Sequence, residues 1–106
     1  MCIRDSLKSK LELIKDYWSP KVVAELNDYQ FKLAKIKDEF IWHEHNDTDE
    51  AFIVIEGNIE IELEGSTVEL SEGEMFVVPK GAKHKPIARG EAHICLLYTS
   101  PSPRDA

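Results

Sequence analysis

The spacing of apolar residues changes at Ser19-Pro20. Ahead of that point Leu7, Leu11, Ile14 and Trp18 recur at helical spacing, which predicts an amphipathic helix over residues 7–18. Ser19-Pro20 ends it, because the residue before a proline avoids helical backbone angles. Beyond Pro20, short apolar stretches alternate with turn formers and predict strands. Residues 22–26 make the first, and Asn27-Asp28 is a turn signal. In 29–36, Tyr29, Phe31 and Leu33 share a face, and Lys37-Asp38-Glu39 turns the chain into a strand over 40–45. Residues 51–55 form an unbroken apolar run, suited to a strand covered on both faces. Gly57-Asn58 fits a tight hairpin with positive φ. Ile59, Ile61 and Leu63 then alternate with Glu60, Glu62 and Glu64, giving a half-buried strand with a solvated acidic face. Further strands are predicted at 67–70, 75–78, 84–88 and, after a turn at Arg89-Gly90, at 91–94 running on into Leu96. Eight or more short strands with frequent turns predict an all-β sandwich or barrel with one short N-terminal helix.

Size and charge narrow the function classes. A chain of 106 residues is at most one domain, and an apolar fraction of 42% is enough for a packed core. The formal net charge of −7 argues against nucleic acid, which calls for a basic stripe, and against anionic membrane. The chain has no 18-residue apolar run, so a membrane span is not expected and a cytoplasmic location is favoured.

The two ends read differently. Residues 1–6 (Met-Cys-Ile-Arg-Asp-Ser) and Cys95-Leu96-Leu97-Tyr98-Thr99-Ser100 can be encoded by one DNA element read in opposite directions, and Pro101 to Ala106 look like its continuation. That element resembles the transposase end sequence of sequencing libraries. On this reading residues 1–6 and 95–106 are adapter-derived, and the domain is residues 7–94, truncated at both natural ends. Cys2 and Cys95 then carry no information on redox compartment. The net charge is unchanged without the ends, because Arg4 and Arg104 cancel Asp5 and Asp105.

Candidate chemistry lies in two clusters. His43-Glu44-His45 is followed four residues later by Glu50, and His84 follows Pro79-Lys80-Gly81. In a strand His43 and His45 point the same way while Glu44 points away. Glu50 follows the polar turn Asn46-Asp47-Thr48-Asp49 and can return beside them, and His84 closes the site from a distant strand. Three imidazoles and a carboxylate suit one divalent transition metal (Fe, Mn, Ni, Zn, Co or Cu), with positions left for water or substrate. Binding needs neutral imidazoles, so it is expected to weaken below about pH 6.

The stretch HEHNDTDEAFIVIEG resembles the first cupin motif, and GEMFVVPKGAKH resembles most of the second. The resemblance spans residues 22–94. It departs at Lys37, where the family usually has a glycine, and at Ala88, where it usually has an asparagine. It implies a jelly-roll barrel holding a metal at His43, His45, Glu50 and His84, with Glu50 also able to serve as a catalytic base. The small single-domain members that the chain most resembles are sometimes labelled mannose-6-phosphate isomerase-like. Two function classes follow from the resemblance. One is a small-molecule enzyme of dioxygenase or sugar isomerase type. The other is a non-catalytic small-molecule-binding or sensor domain.

Other residues receive plainer readings. Pocket candidates are Tyr29, Phe31, Ile41, Phe52 or Ile53, and Met75 or Phe76. Phe40 and Trp42 should lie opposite His43 and His45, where the N-terminal segment or a second subunit would cover them, and a homodimer through that face is expected. His93 should face solvent beside Glu91, and Lys83 and Lys85 should point away from His84 as solvated residues. No glycine-rich phosphate loop and no Ser-His-Asp or Cys-His constellation occurs in residues 7–94.

Overall fold

The computed structural model of the chain describes residues 6–44 and 48–99. One helix, α1 (Leu7–Glu12), precedes the strands β1 (Lys21–Leu26), β2 (Tyr29–Glu39), β3 (Glu50–Glu56), β4 (Ile59–Leu63), β5 (Ser66–Leu70), β6 (Met75–Val78) and β7 (His84–Thr99). The expected all-β jelly-roll barrel with a short N-terminal helix is what forms. All strand pairs are antiparallel.

The 16-residue β7 organises the sheet. Its one edge pairs with β2 along most of their length. Its other edge is shared, with β3 opposite His93–Leu97 and β4 opposite His84–Ile87. β6 extends the sheet beyond β3, β1 extends it beyond β2, and β5 pairs with β4. This arrangement corrects two sequence readings. Arg89-Gly90 is not a turn, because residues 84–88 and 91–96 belong to a single strand. Gly57-Asn58 is not a hairpin, because β3 and β4 both pair with β7 rather than with each other. Gly57 keeps its predicted positive φ, 89°, for a further reason. A Cβ there would lie 3.0 Å from the Glu91 carbonyl oxygen and 3.1 Å from Ala92 Cα, on the backbone of β7.

Residues 40–44, the described part of the predicted strand over 40–45, also do not form a strand. The chain leaves β2 at Glu39, and the segment that follows is held to β7 by the Phe40 N–H, which donates to the Pro86 carbonyl at 3.0 Å, and by a bridge of His43 opposite His84. The departure follows a register shift between Ile36 and Asp38, with Asp38 in the left-handed region at φ 64°. Aspartate tolerates that region better than most residues, so the bend forms without a glycine at Lys37.

Two packed clusters cover the sheet. The barrel interior is filled by Ile36, Phe52, Val54, Ile59, Ile61 and Ile94 with their neighbours. On the outer face Leu11 and Ile14 pack with Leu33 and Cys95. The apolar run 51–55 is therefore covered on both sides, as predicted: Phe52 and Val54 face inward, and Ile53 and Ile55 face the N-terminal segment. Burial of a leucine or isoleucine side chain contributes roughly 1.5–3 kcal/mol, and that burial holds so short a helix in place. α1 ends at Glu12, earlier than the predicted 18, because residues 17 and 18 join the sheet instead. Tyr17 bridges Lys35, and the Trp18 N–H donates to the Lys35 carbonyl at 2.9 Å. Among the described residues no helix is long and apolar enough to cross a membrane.

Candidate metal centre

His84 opens β7 and Glu50 opens β3, so both side chains enter the barrel at its mouth. Both are almost wholly enclosed, at 1% and 4% exposure. His43 arrives on the irregular segment after β2. Its N–H donates to the His84 carbonyl at 3.0 Å, and the His84 N–H donates back to the His43 carbonyl at 2.9 Å. The two imidazole centroids stand 4.1 Å apart. Among the described residues, His43, Glu50 and His84 each offer a donor atom within 4.8 Å of the other two.

Hydrogen bonds fix which ring nitrogen faces the site. His84 Nδ1 lies 3.0 Å from the Ala82 carbonyl, and His43 Nδ1 lies 3.0 Å from the Ile41 carbonyl. A carbonyl oxygen only accepts, so each Nδ1 carries a hydrogen and each Nε2 is the nitrogen left to bind a metal or a proton. Nε2 of His84 sits 3.2 Å from Glu50 Oε1. A neutral Nε2 and a carboxylate oxygen would both present lone pairs across that gap, so a positive species must lie between them. A proton on Nε2 satisfies this, and so does a divalent cation. Burial opposes charge on His84. The Glu50 hydrogen bond, the Ala82 carbonyl and the Glu50 charge outweigh it and hold the His84 pKa above its ordinary value. The donor set therefore fits a borderline divalent ion, with imidazoles oriented by backbone carbonyls.

Three of the four ligands expected from sequence are thus brought together: His43, Glu50 and His84. His45 lies outside the described residues. Thr48-Asp49 sets the entry to β3, with Asp49 Oδ1 accepting from the Lys80 N–H at 2.8 Å. This bond ties the loop carrying Glu50 to the turn that precedes His84.

Beside the donors runs a cleft of about 180 Å³. Ile36, Phe52 and Ile94 form its inner walls, and Trp18 and Phe40 its outer wall. Of the predicted pocket residues only Phe52 lines it. Ile41 is 67% exposed, Tyr29 and Met75 are exposed as well, and Phe31 packs on the outer cluster. Phe40 does not lie opposite His43. Its ring meets the His43 ring edge-on at 5.3 Å and stacks on Trp18 at 4.8 Å. Strand alternation misplaced it because residues 40–44 are not a strand. The Trp18 indole N–H donates to the Lys37 carbonyl at 2.9 Å, locking the ring over the cleft. The signal that could have found this pair is an aromatic directly before the Ser-Pro break and another three residues before the first histidine.

The remaining titratable residues serve the surface. Lys85 points away from His84, but at 17% exposure it is half-buried rather than solvated, and it pairs with Glu39 at 2.7 Å and Glu62 at 3.8 Å. The hydrogen bond and charge of Lys85 hold Glu39 below the usual carboxylate range. His93 is half-buried rather than solvent-facing, with Nδ1 3.0 Å from Glu56 and Nε2 2.7 Å from Glu91. Glu91 also accepts from the Tyr17 hydroxyl at 2.7 Å. His93 stands apart from the three converging donors.

Comparison with known proteins agrees with this geometry. The family profile described as cupin domain matches residues 30–100. A cupin-2 domain containing protein from Shewanella frigidimarina superposes with a TM-score of 0.86 at 49% identity, covering 88% of this chain and 91% of that one. Protein NMB1881 from Neisseria meningitidis superposes with a TM-score of 0.85 at 31% identity, covering 92% and 100%. The uncharacterized protein YdbB of Bacillus subtilis is 38% identical over 64 residues, and the match spans 59% of this chain and 57% of that relative's length.

Proposed function

Because the chain belongs to the cupin domain family, we propose that it is a metal-dependent enzyme acting on a small molecule, of dioxygenase or sugar isomerase type. The observation that carries the reading is the convergence of His43, Glu50 and His84 beside an apolar cleft. A borderline divalent metal held there supplies Lewis-acid or redox chemistry to a bound oxygen donor. His43 and His84 hold it, with His45 as a further ligand. Glu50 is either the fourth ligand or the base, since its carboxylate stands 3.2 Å from the His84 nitrogen that would hold the metal. The apolar walls exclude water and orient the substrate. The net charge of −7 supports a small molecule rather than nucleic acid or membrane as the partner, and we take the active form to be a homodimer.

A specific observation also favours a non-catalytic binder. Apart from Glu50, His43 and the Tyr98 hydroxyl, the described residues lining the cleft carry no titratable group. Elemental analysis of protein purified without added metal tests the site, with about one metal per chain expected and its loss expected in His43→Ala. Oxygen uptake or isomerisation with a ligand found by thermal-shift screening supports the enzyme. A tightly held metal with no turnover of any bound ligand supports the binder.

A further inference from the structure

The cleft also limits what can enter it. We infer that the ligand is a compact single-ring phenol or catechol, with its oxygen toward His43 and Glu50 and its ring in the apolar slot. The inference deepens the metal-site reading and rests on it for the oxygen end only. Three observations carry it. The first is volume. At about 180 Å³ the cleft is slightly larger than a dry, apolar cavity of roughly 150 Å³ that accepts benzene, so one substituted ring fills it. The second is lining. Ile36, Phe52 and Ile94 on the inside and Trp18 and Phe40 on the outside offer apolar surface, and no lysine or arginine is among the described lining residues. The one further hydroxyl in the lining, that of Tyr98, is already held by Lys32 Nζ at 2.7 Å, so the several hydroxyls and the charge of a sugar phosphate would be poorly matched on those walls. The third is preorganisation. Trp18 sits in the left-handed region at φ 58°, unusual for a bulky residue. Two backbone-carbonyl hydrogen bonds, from its main-chain and indole N–H groups, hold it there. Its ring lies nearly parallel to Phe40, at 13°, so the outer wall is a flat, fixed aromatic surface.

Calorimetric titration of the zinc-loaded full chain with catechol, and of the metal-free chain with phenol, tests the inference, with mannose 6-phosphate as the polar comparison. Catechol is expected to bind with a dissociation constant below roughly 1 mM. Trp18→Ala and the milder Phe40→Leu should each weaken it, Trp18→Ala by roughly tenfold, in protein that still loads about one zinc per chain. The Phe40→Leu variant keeps the test decisive should Trp18→Ala not fold. Catechol binding that neither substitution alters would reveal simple chelation and overturn the inference, as would tighter binding of mannose 6-phosphate. Failure of the metal reading is separately visible. If zinc does not bind but phenol enters the metal-free cleft in a Trp18-dependent way, the aromatic slot stands and the metal centre falls. If zinc binds and neither ring compound does, the slot falls alone.

Discussion

At the scale of single residues, His84 is where folding, protons and metal compete. In the metal-free protein burial works against its charge, but the Glu50 and Ala82 contacts prevail and raise its pKa. A pKa raised on folding adds stability that is complete below the unfolded value of about 6.5 and fades as pH climbs through the folded value. Metal has the opposite dependence, since it needs Nε2 deprotonated. Added zinc should therefore raise the melting temperature little near pH 5.5 and progressively more toward about pH 8, as scanning fluorimetry across buffers will show. A zinc effect independent of pH would mean that His84 is not a ligand. The donor residues His43, Glu50 and His84 were legible in the sequence because ligand chemistry is tied to residue type and spacing. Phe40 was not, because its direction depends on where β2 ends, and a register shift near Asp38 decides that.

At the scale of elements, the lesson is how far local signals carry. Ile59, Ile61 and their alternating glutamates were read correctly, since burial of every second residue is a local property. Arg89-Gly90 looked like a turn because it combines an exposed charge with a glycine. Arg89-Gly90 falls where the register shifts, and what keeps the chain running on is the pairing of the residues that flank it, Ala88 and Ala92 with β2, Ile87 with β4 and His93 with β3, which no window of ten residues contains. Gly57 shows the same dependence from the other side, since its space is taken by the backbone of β7. Gly57→Ala should thus cost more than Gly65→Ala, where φ is 85° but nothing lies within 4 Å of a new Cβ. Only the backbone penalty of about 1–2 kcal/mol applies at Gly65, while at Gly57 a clash adds to it. Urea unfolding of the two variants measures the difference, and equal costs would show that β7 yields at Glu91.

At the scale of the molecule, the N-terminal segment is part of the barrel's working surface. Its buried Leu11 and Ile14 fasten it to the outer face, and its last residue before Ser19-Pro20 walls the cleft. The helix was expected to run too far because Trp18 keeps helical spacing with Leu11 and Ile14 while its main chain bonds to β2. The expected reason for dimerisation also shifts, because Trp18 already covers Phe40 within one chain. β6 is an unpaired sheet edge carrying Met75 at 55% and Val77 at 46% exposure, a surface that an antiparallel copy of itself would match. For the proposed homodimer, light scattering should give about twice 12.1 kDa, and Val77→Lys should halve it. A wild-type mass of one chain would rule the dimer out.

The reciprocal main-chain bonds between His43 and His84 carry one more consequence. Peptide groups fasten the two backbones together, while each ring is aimed by its own Nδ1–H bond, so the mount and the aim are separate. Replacing an imidazole by a carboxylate would keep the mount but set its lone pairs against the Ile41 or Ala82 carbonyl, which makes histidine the side chain this wall is shaped to carry.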